Sequence, residues 1–177
     1  LMTNFQLSLV LGLIFAMSGN NIAKADIFLP KGCSIVTSTK EILILKFQPE
    51  LKGFDTLRLT NGNLTILPRI NGAFAVAKQS GGPLQLQYSI PITVPNAKAF
   101  QLYASKAQSV SRIKGMITPK PYMQLDGDNP AIPIYEIDEH LYQEQNHSAW
   151  SSLVYQGIAR NRHLAQLSVI IAKYDNQ

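Results

Sequence analysis

The sequence predicts a β-rich single domain of the α+β class. Its expected form is an antiparallel sheet or sandwich with one or two helices in the C-terminal half and a final strand. An all-β sandwich with a covering helix is the alternative. Three observations lead there. Short runs of Ile, Leu and Val are bounded by Gly, Pro and Asn. Apolar and polar residues alternate from Leu84 to Val94. Helical spacing of apolar residues is strongest in the last third of the chain.

The first segment reads as an address. Leu7 to Met17 is apolar and uncharged, and the polar stretch Ser18-Gly19-Asn20-Asn21 follows it. A bilayer-spanning helix needs about 18 or more apolar residues, and this run is shorter. Ala23-Lys24-Ala25 then supplies the small-x-small pattern that signal peptidase accepts. The expectation is a cleaved signal peptide over residues 1–25 and a single mature domain over 26–177, beginning at Asp26. An uncleaved N-terminal anchor is the other reading. The expected location is outside the cytoplasm, periplasmic or extracellular.

Cys33 is the one cysteine of the 177 residues, so no disulfide can form within the chain. It reads as a buried inert thiol or as one half of an intermolecular bridge. Glu41 to Phe47 is rich in Ile and Leu and too short for a helix, which makes it a buried strand. Asn61-Gly62 between Leu57-Arg58-Leu59-Thr60 and Leu64-Thr65-Ile66-Leu67 predicts a hairpin with a type I′ turn. Asn71-Gly72 repeats the device before Phe74, and Ser80-Gly81-Gly82-Pro83 is a break. Over Leu84 to Val94 the alternation is that of a half-buried strand, with Pro91 marking an edge or a bend.

Asn96 to Gly115 fits two templates. Phe100, Tyr103, Ala104, Ala107 and Val110 make a helical face with Asn96 as N-cap, whereas Phe100, Leu102 and Ala104 suit a return strand. Helix is preferred on propensity. Asp126-Gly127-Asp128-Asn129 is an Asx/Gly turn, because it lacks the glycine and twelfth-position glutamate of a calcium loop. Asp138 to Asn161 reads as helix with a break near Asn146-His147-Ser148. Trp150, Leu153, Val154, Gly157 and Ile158 recur there at helical spacing, which makes Trp150 a core anchor. Leu167 to Ala172 closes the chain as a central strand.

Charge is unevenly placed. No Asp or Glu occurs between Asp55 and Asp126, an interval that holds Arg58, Arg69, Lys78, Lys98, Lys106, Arg112, Lys114 and Lys120. Lys98, Lys106, Arg112 and Lys114 are the candidate basic face for an anionic lipid or glycan; a solvated surface is the plainer reading. The density is low for a nucleic-acid partner, so none is expected.

Glu136, His140, Glu144 and His147 fall on one stripe if a helix runs through them. Imidazole and carboxylate at i, i+4 can reach one zinc or copper ion, and a solvated polar stripe looks the same. No Gly-x-Ser-x-Gly elbow, His-Glu-x-x-His, phosphate loop or dinucleotide fingerprint is present. No catalytic residue is therefore assigned and no cofactor is expected. The expected function is that of an exported non-enzymatic binding or assembly protein, an accessory subunit of an envelope or surface complex with protein partners. The alternative is a secreted hydrolase or metal-dependent enzyme using the Glu/His stripe.

Replacing Lys98, Lys106 and Arg112 with Gln is expected to weaken binding to anionic vesicles and to flatten its salt dependence. Co-sedimentation at low and high ionic strength measures this, and an affinity indifferent to salt in the parent protein removes the electrostatic reading.

Overall fold

The computed structural model describes the backbone of residues 4–17 and residues 29–39, 42–94, 100–104, 109–127, 129–144 and 149–175. The fold is antiparallel and mostly strand, with one short helix among the described residues. Its elements are β1 (Asn4–Met17), β2 (Cys33–Ser38), β3 (Ile42–Phe47), β4 (Leu51–Arg58), β5 (Leu64–Ile70), β6 (Phe74–Val76) and β7 (Gln85–Val94). They continue with β8 (Phe100–Ala104), β9 (Ser109–Lys114), β10 (Tyr122–Asp126), β11 (Asn129–Ile134), α1 (Glu139–Gln143), β12 (Ser151–Ala159) and β13 (Arg162–Asp175).

β13 is the central strand. β7 pairs along one of its edges, from His163↔Val94 to Ala172↔Leu86. Along the other edge β12 pairs first, up to Ser151↔Val169, and β1 continues from Leu7↔Ala172 to Asn4↔Asp175. β1 then leaves β13 and pairs β3 from Leu11↔Phe47 to Ala16↔Ile42. Its far edge carries β9 and β8 in turn. β2 covers the outer edge of β3, and β6 the start of β7. β1 is thus the strand through which the β13 group and the β3 group become one sheet.

Alternation decides what is buried. On β7, Leu86, Tyr88, Ile90, Ile92 and Val94 point into the core while their neighbours face outward. Ala165, Leu167, Val169 and Ile171 do the same on β13, and Leu43, Leu45 and Phe47 on β3. The Phe47 and Tyr88 rings stack 6.0 Å apart, joining β3 to β7 across the core. The Tyr88 hydroxyl reaches the carbonyls of Lys31 and Asn71, which ties two loops to the same ring. Pro91 lies opposite Gln166 of β13, where β7 has no second strand partner among the described residues, so its missing N–H costs no bond on that outer edge.

Three expectations are corrected. Phe100–Ala104 and Ser109–Lys114 are strands on β1, not a helix. β12 is also a strand. Ser151, Leu153, Tyr155 and Gly157 face inward and Val154, Gln156 and Ile158 outward, and the exposed Val154 and Ile158 are what mimicked a helical stripe. Its hairpin to β13 turns through Arg160 and Asn161, whose φ values of 49° and 63° are those of a two-residue primed turn. Trp150 does pack against the core, from the residue before β12 and not from a helix face, and Lys173 Nζ lies 4.5 Å from its ring centre. Finally, the hairpin at Asn61-Gly62 forms, but only Gly62 takes positive φ. Leu59 is drawn into the interior, and the loop widens to residues 59–63, held by Leu59 N–H to the Asn63 carbonyl.

Leu167 is fully buried at the centre of β13, whereas Val154 is exposed on β12. Leu167→Ala is expected to cost about 2–5 kcal/mol of stability and Val154→Ser under about 1 kcal/mol, both read from urea denaturation midpoints.

Candidate interaction surface

The segment 116–120 is irregular in shape and dense in backbone bonds. Met116 C=O accepts from Ile66 N–H, and Thr118 N–H donates back to Ile66 C=O. Thr118 C=O accepts from Leu84 N–H, and Lys120 pairs in both directions with Gly81 and Gly82. Side chains complete the clasp. Thr118 Oγ1 and Thr65 Oγ1, both buried, are 3.2 Å apart, Thr65 Oγ1 donates to Leu57 C=O, and the Tyr142 hydroxyl donates to Ile117 C=O at 2.7 Å. Every buried hydroxyl of this relay has a partner, which is the condition for a polar group to sit in a core. The clasp fastens the β4–β5 hairpin, the 81–84 turn and α1 to one another.

Gly81 is where this needs glycine. Its φ is +80°, and a β-carbon there would collide with the Tyr122 hydroxyl and meet Asp138 Cβ at 3.0 Å. The Gly81 carbonyl accepts from Asp138 N–H at 3.0 Å, and the Asp138 carboxylate caps α1 by accepting from His140 N–H. One glycine therefore seats both the base of the β10–β11 hairpin and the start of α1.

From that base the β10–β11 hairpin projects, its two strands paired only with each other among the described residues. It carries Leu125 at 79% exposure, Met123 at 57%, Ile132 at 54% and Tyr122 at 40%. Pro130 and Pro133 lie in β11 and cannot donate to a further strand, so β11 resists edge pairing. What β11 exposes is therefore apolar side-chain area and not a pairing edge. Gly127, with φ +55°, lies in its turn.

At the foot of the hairpin, residues 135–143 and the 59–63 loop enclose a cleft of ≈ 380 Å³. Sites for small ligands start at about 300 Å³, so the cleft has room for one side chain or a small molecule. Leu59, Met116 and Ile137 give it apolar walls, Tyr135, Tyr142 and Tyr174 aromatic ones, and Glu136 and Glu139 carboxylates. The Tyr142 and Tyr174 rings meet edge to face at 5.0 Å. Burial pushes the Tyr142 hydroxyl far above its ordinary range, with the Tyr174 phenol next to it raising it further, so it remains a neutral donor.

The residues singled out in the sequence are dispersed. Arg112 and Lys114 are exposed on β9, while Lys98 and Lys106 lie outside the described residues. Glu136 precedes α1 and lines the cleft; His140 is in α1, with Nδ1 3.6 Å from Glu144 Oε1, and His147 lies outside the described residues. α1 covers only Glu139–Gln143, so Glu136 and Glu144 do not share its turns. Among the described residues no three of His, Cys, Asp and Glu gather as metal ligands. Likewise no described helix is long and apolar enough to cross a membrane. The apolar hairpin went unassigned in the sequence, although Asp126-Gly127 between Tyr122-Met123-Gln124-Leu125 and Ile132 is a hairpin signal.

No protein-family model matches the chain, and no curated protein matches it. A solved structure resembles it in fold: one described as giving structural insight into the zymogenic latency of gingipain K from Porphyromonas gingivalis. The TM-score is 0.54 at 15% sequence identity, over 81% of this chain and 87% of that one.

Cys33 is half-buried on β2, opposite Phe47, and burial pushes its thiol up from 9.0 to about 12. The thiol in the folded protein is therefore neutral at pH 8 and a poor nucleophile. Alkylation at pH 8 is expected to be slow in the native protein and fast in denaturant. Because the unfolded thiol ionises first, its contribution to stability is expected to fall between about pH 9 and pH 12. Denaturation midpoints of the parent and Cys33→Ala over that range check the sign.

Proposed function

We propose that this is an exported, non-enzymatic protein that works by binding another protein, with the β10–β11 hairpin as its contact. The observation that carries this is the hairpin itself. Three large apolar side chains, Met123, Leu125 and Ile132, stand in solvent on two strands that pair only with each other among the described residues, and a satisfied hydrogen-bond clasp holds their base. Exposed apolar area of that kind is costly to keep unless a partner covers it. Leu125 and Met123 have the character of anchoring residues, and the cleft at the foot of the hairpin has room for a projecting side chain of the partner. The leader-like first segment supports export.

The fold likeness suggests a narrower reading. The solved chain of similar fold is described in terms of zymogenic latency, and a zymogen held inactive is a partner that an exposed hairpin could serve. A sandwich-like core of this size is a rigid base from which to present one.

Met123→Ser/Leu125→Ser is expected to leave the denaturation midpoint nearly unchanged, because both side chains are solvated, and to weaken partner binding about tenfold or more. A photo-crosslinker at Leu125 should give one dominant adduct in the exported fraction, and the same group at exposed Gln156 should not. A zymogen in that adduct supports the narrower reading. Equal labelling at both positions overturns the hairpin as the contact.

A further inference from the structure

The segment that reads as a leader is the same segment that forms β1. We infer that the place β1 occupies is a strand-acceptor site: once the leader is removed on export, it takes an uncharged apolar strand supplied by a different protein. The inference rests on the export reading and adds to it how a partner engages.

The pairing shows what leader removal would leave. β8 and β9 have β1 as their one strand partner among the described residues. β3 would lose an edge over Ile42–Phe47, and β13 its last stretch over Ala172–Asp175. With β1 in place these edges adjoin the core. Leu43, Leu45 and Phe47 on β3, and Ala172 and Tyr174 on β13, belong to the buried core. Backbone N–H and C=O groups beside a core must be paired, and a strand is the object that pairs a row of them. Main-chain bonding along such an edge is a known source of affinity in peptide recognition.

The register then specifies the occupant. It runs antiparallel to β3 and to β13, crossing from one to the other, and shifts where β1 has a bulge between Ser8 and Val10. The segment seated there, Asn-Phe-Gln-Leu-Ser-Leu-Val-Leu-Gly-Leu-Ile-Phe-Ala-Met, has no ionisable side chain over its 14 residues. An occupant of like character is uncharged and largely apolar along its length. A second copy of the mature chain no longer owns this segment, so the strand comes from another protein. The site is separate from the β10–β11 hairpin, whose β11 prolines oppose strand addition.

The test uses the exported protein purified from its own compartment. Its N-terminus is sequenced, and amide exchange of residues 42–47 and 109–114 is followed with and without a synthetic peptide of residues 4–17 bearing a solubilising tail. The expected result is an N-terminus at Asp26, rapid exchange of the free β3 amides, and at least tenfold slowing with the peptide. A control peptide with Ser8→Pro and Gly12→Pro should slow nothing. Retention of residues 4–17 in the exported protein overturns the inference, because the strand is then supplied in cis, and leaves export standing. An N-terminus at Asp26 with β3 amides already protected, whether in a monomer or in a dimer of paired edges, overturns it too. So does exchange indifferent to the peptide. Absence of the protein from the exported fraction removes the export reading and the inference together.

Discussion

Backbone pairing along β13 is the constraint on which the rest of the structure depends. Its inward side chains fill the core, so both of its edges run through a region where water cannot satisfy N–H and C=O groups. β7 meets that demand on one side, β12 and then β1 on the other. Because β12 stops at the level of Val169, something must take over at Ala172, and β1 does so before crossing to β3. The connection between the two strand groups follows from an edge that one short hairpin could not cover.

A second consequence is the separation of rigid and exposed parts. The clasp at 116–120 spends its polar groups inward, on the β5 backbone, the 81–84 turn and the Tyr142 hydroxyl. With the base satisfied, the β10–β11 hairpin can carry Met123, Leu125 and Ile132 into solvent without loosening what holds it. The cleft at its foot shares this support, since Met116, Tyr142 and Tyr135 either belong to the clasp or adjoin it. Preorganisation of this sort lowers the ordering cost of binding, which is the main term that area alone does not predict.

Legibility in the sequence followed the strength of local signals. β3, β7 and β13 were plain because Ile42–Phe47, Gln85–Val94 and Leu167–Ala172 combine β-branched or alternating residues with clear breaks. β12 was misread because Val154 and Ile158 are apolar yet exposed, and adding them to Leu153 and Gly157 completes a helical stripe. Its turn carries Arg160-Asn161 in place of Asn-Gly, so no glycine announced two residues of positive φ. β8 and β9 fit both templates locally, and what decides for strand is their pairing with β1, distant in sequence and their one strand partner among the described residues. In the candidate surface, Glu136 was noticed for a stripe that α1 is too short to build. The hairpin beside it is marked in the sequence only by its Asp126-Gly127 turn, and the prolines of β11 argue against an interior strand without forbidding an isolated pair.

By itself, the sequence determined the β-rich composition of the domain, its main inward-facing rows, its principal breaks and the uneven spread of its charge. These depend on side chains a few residues apart, where period and turn chemistry are decisive. Only the tertiary structure decided which edges meet, that β1 serves both strand groups, that Gly81 must yield to Tyr122 and Asp138, and that Met123, Leu125 and Ile132 stand exposed on one hairpin. The physical reason is that edge pairing and close packing are contacts between residues far apart in the chain, and a backbone edge offers the same N–H and C=O groups whatever its sequence.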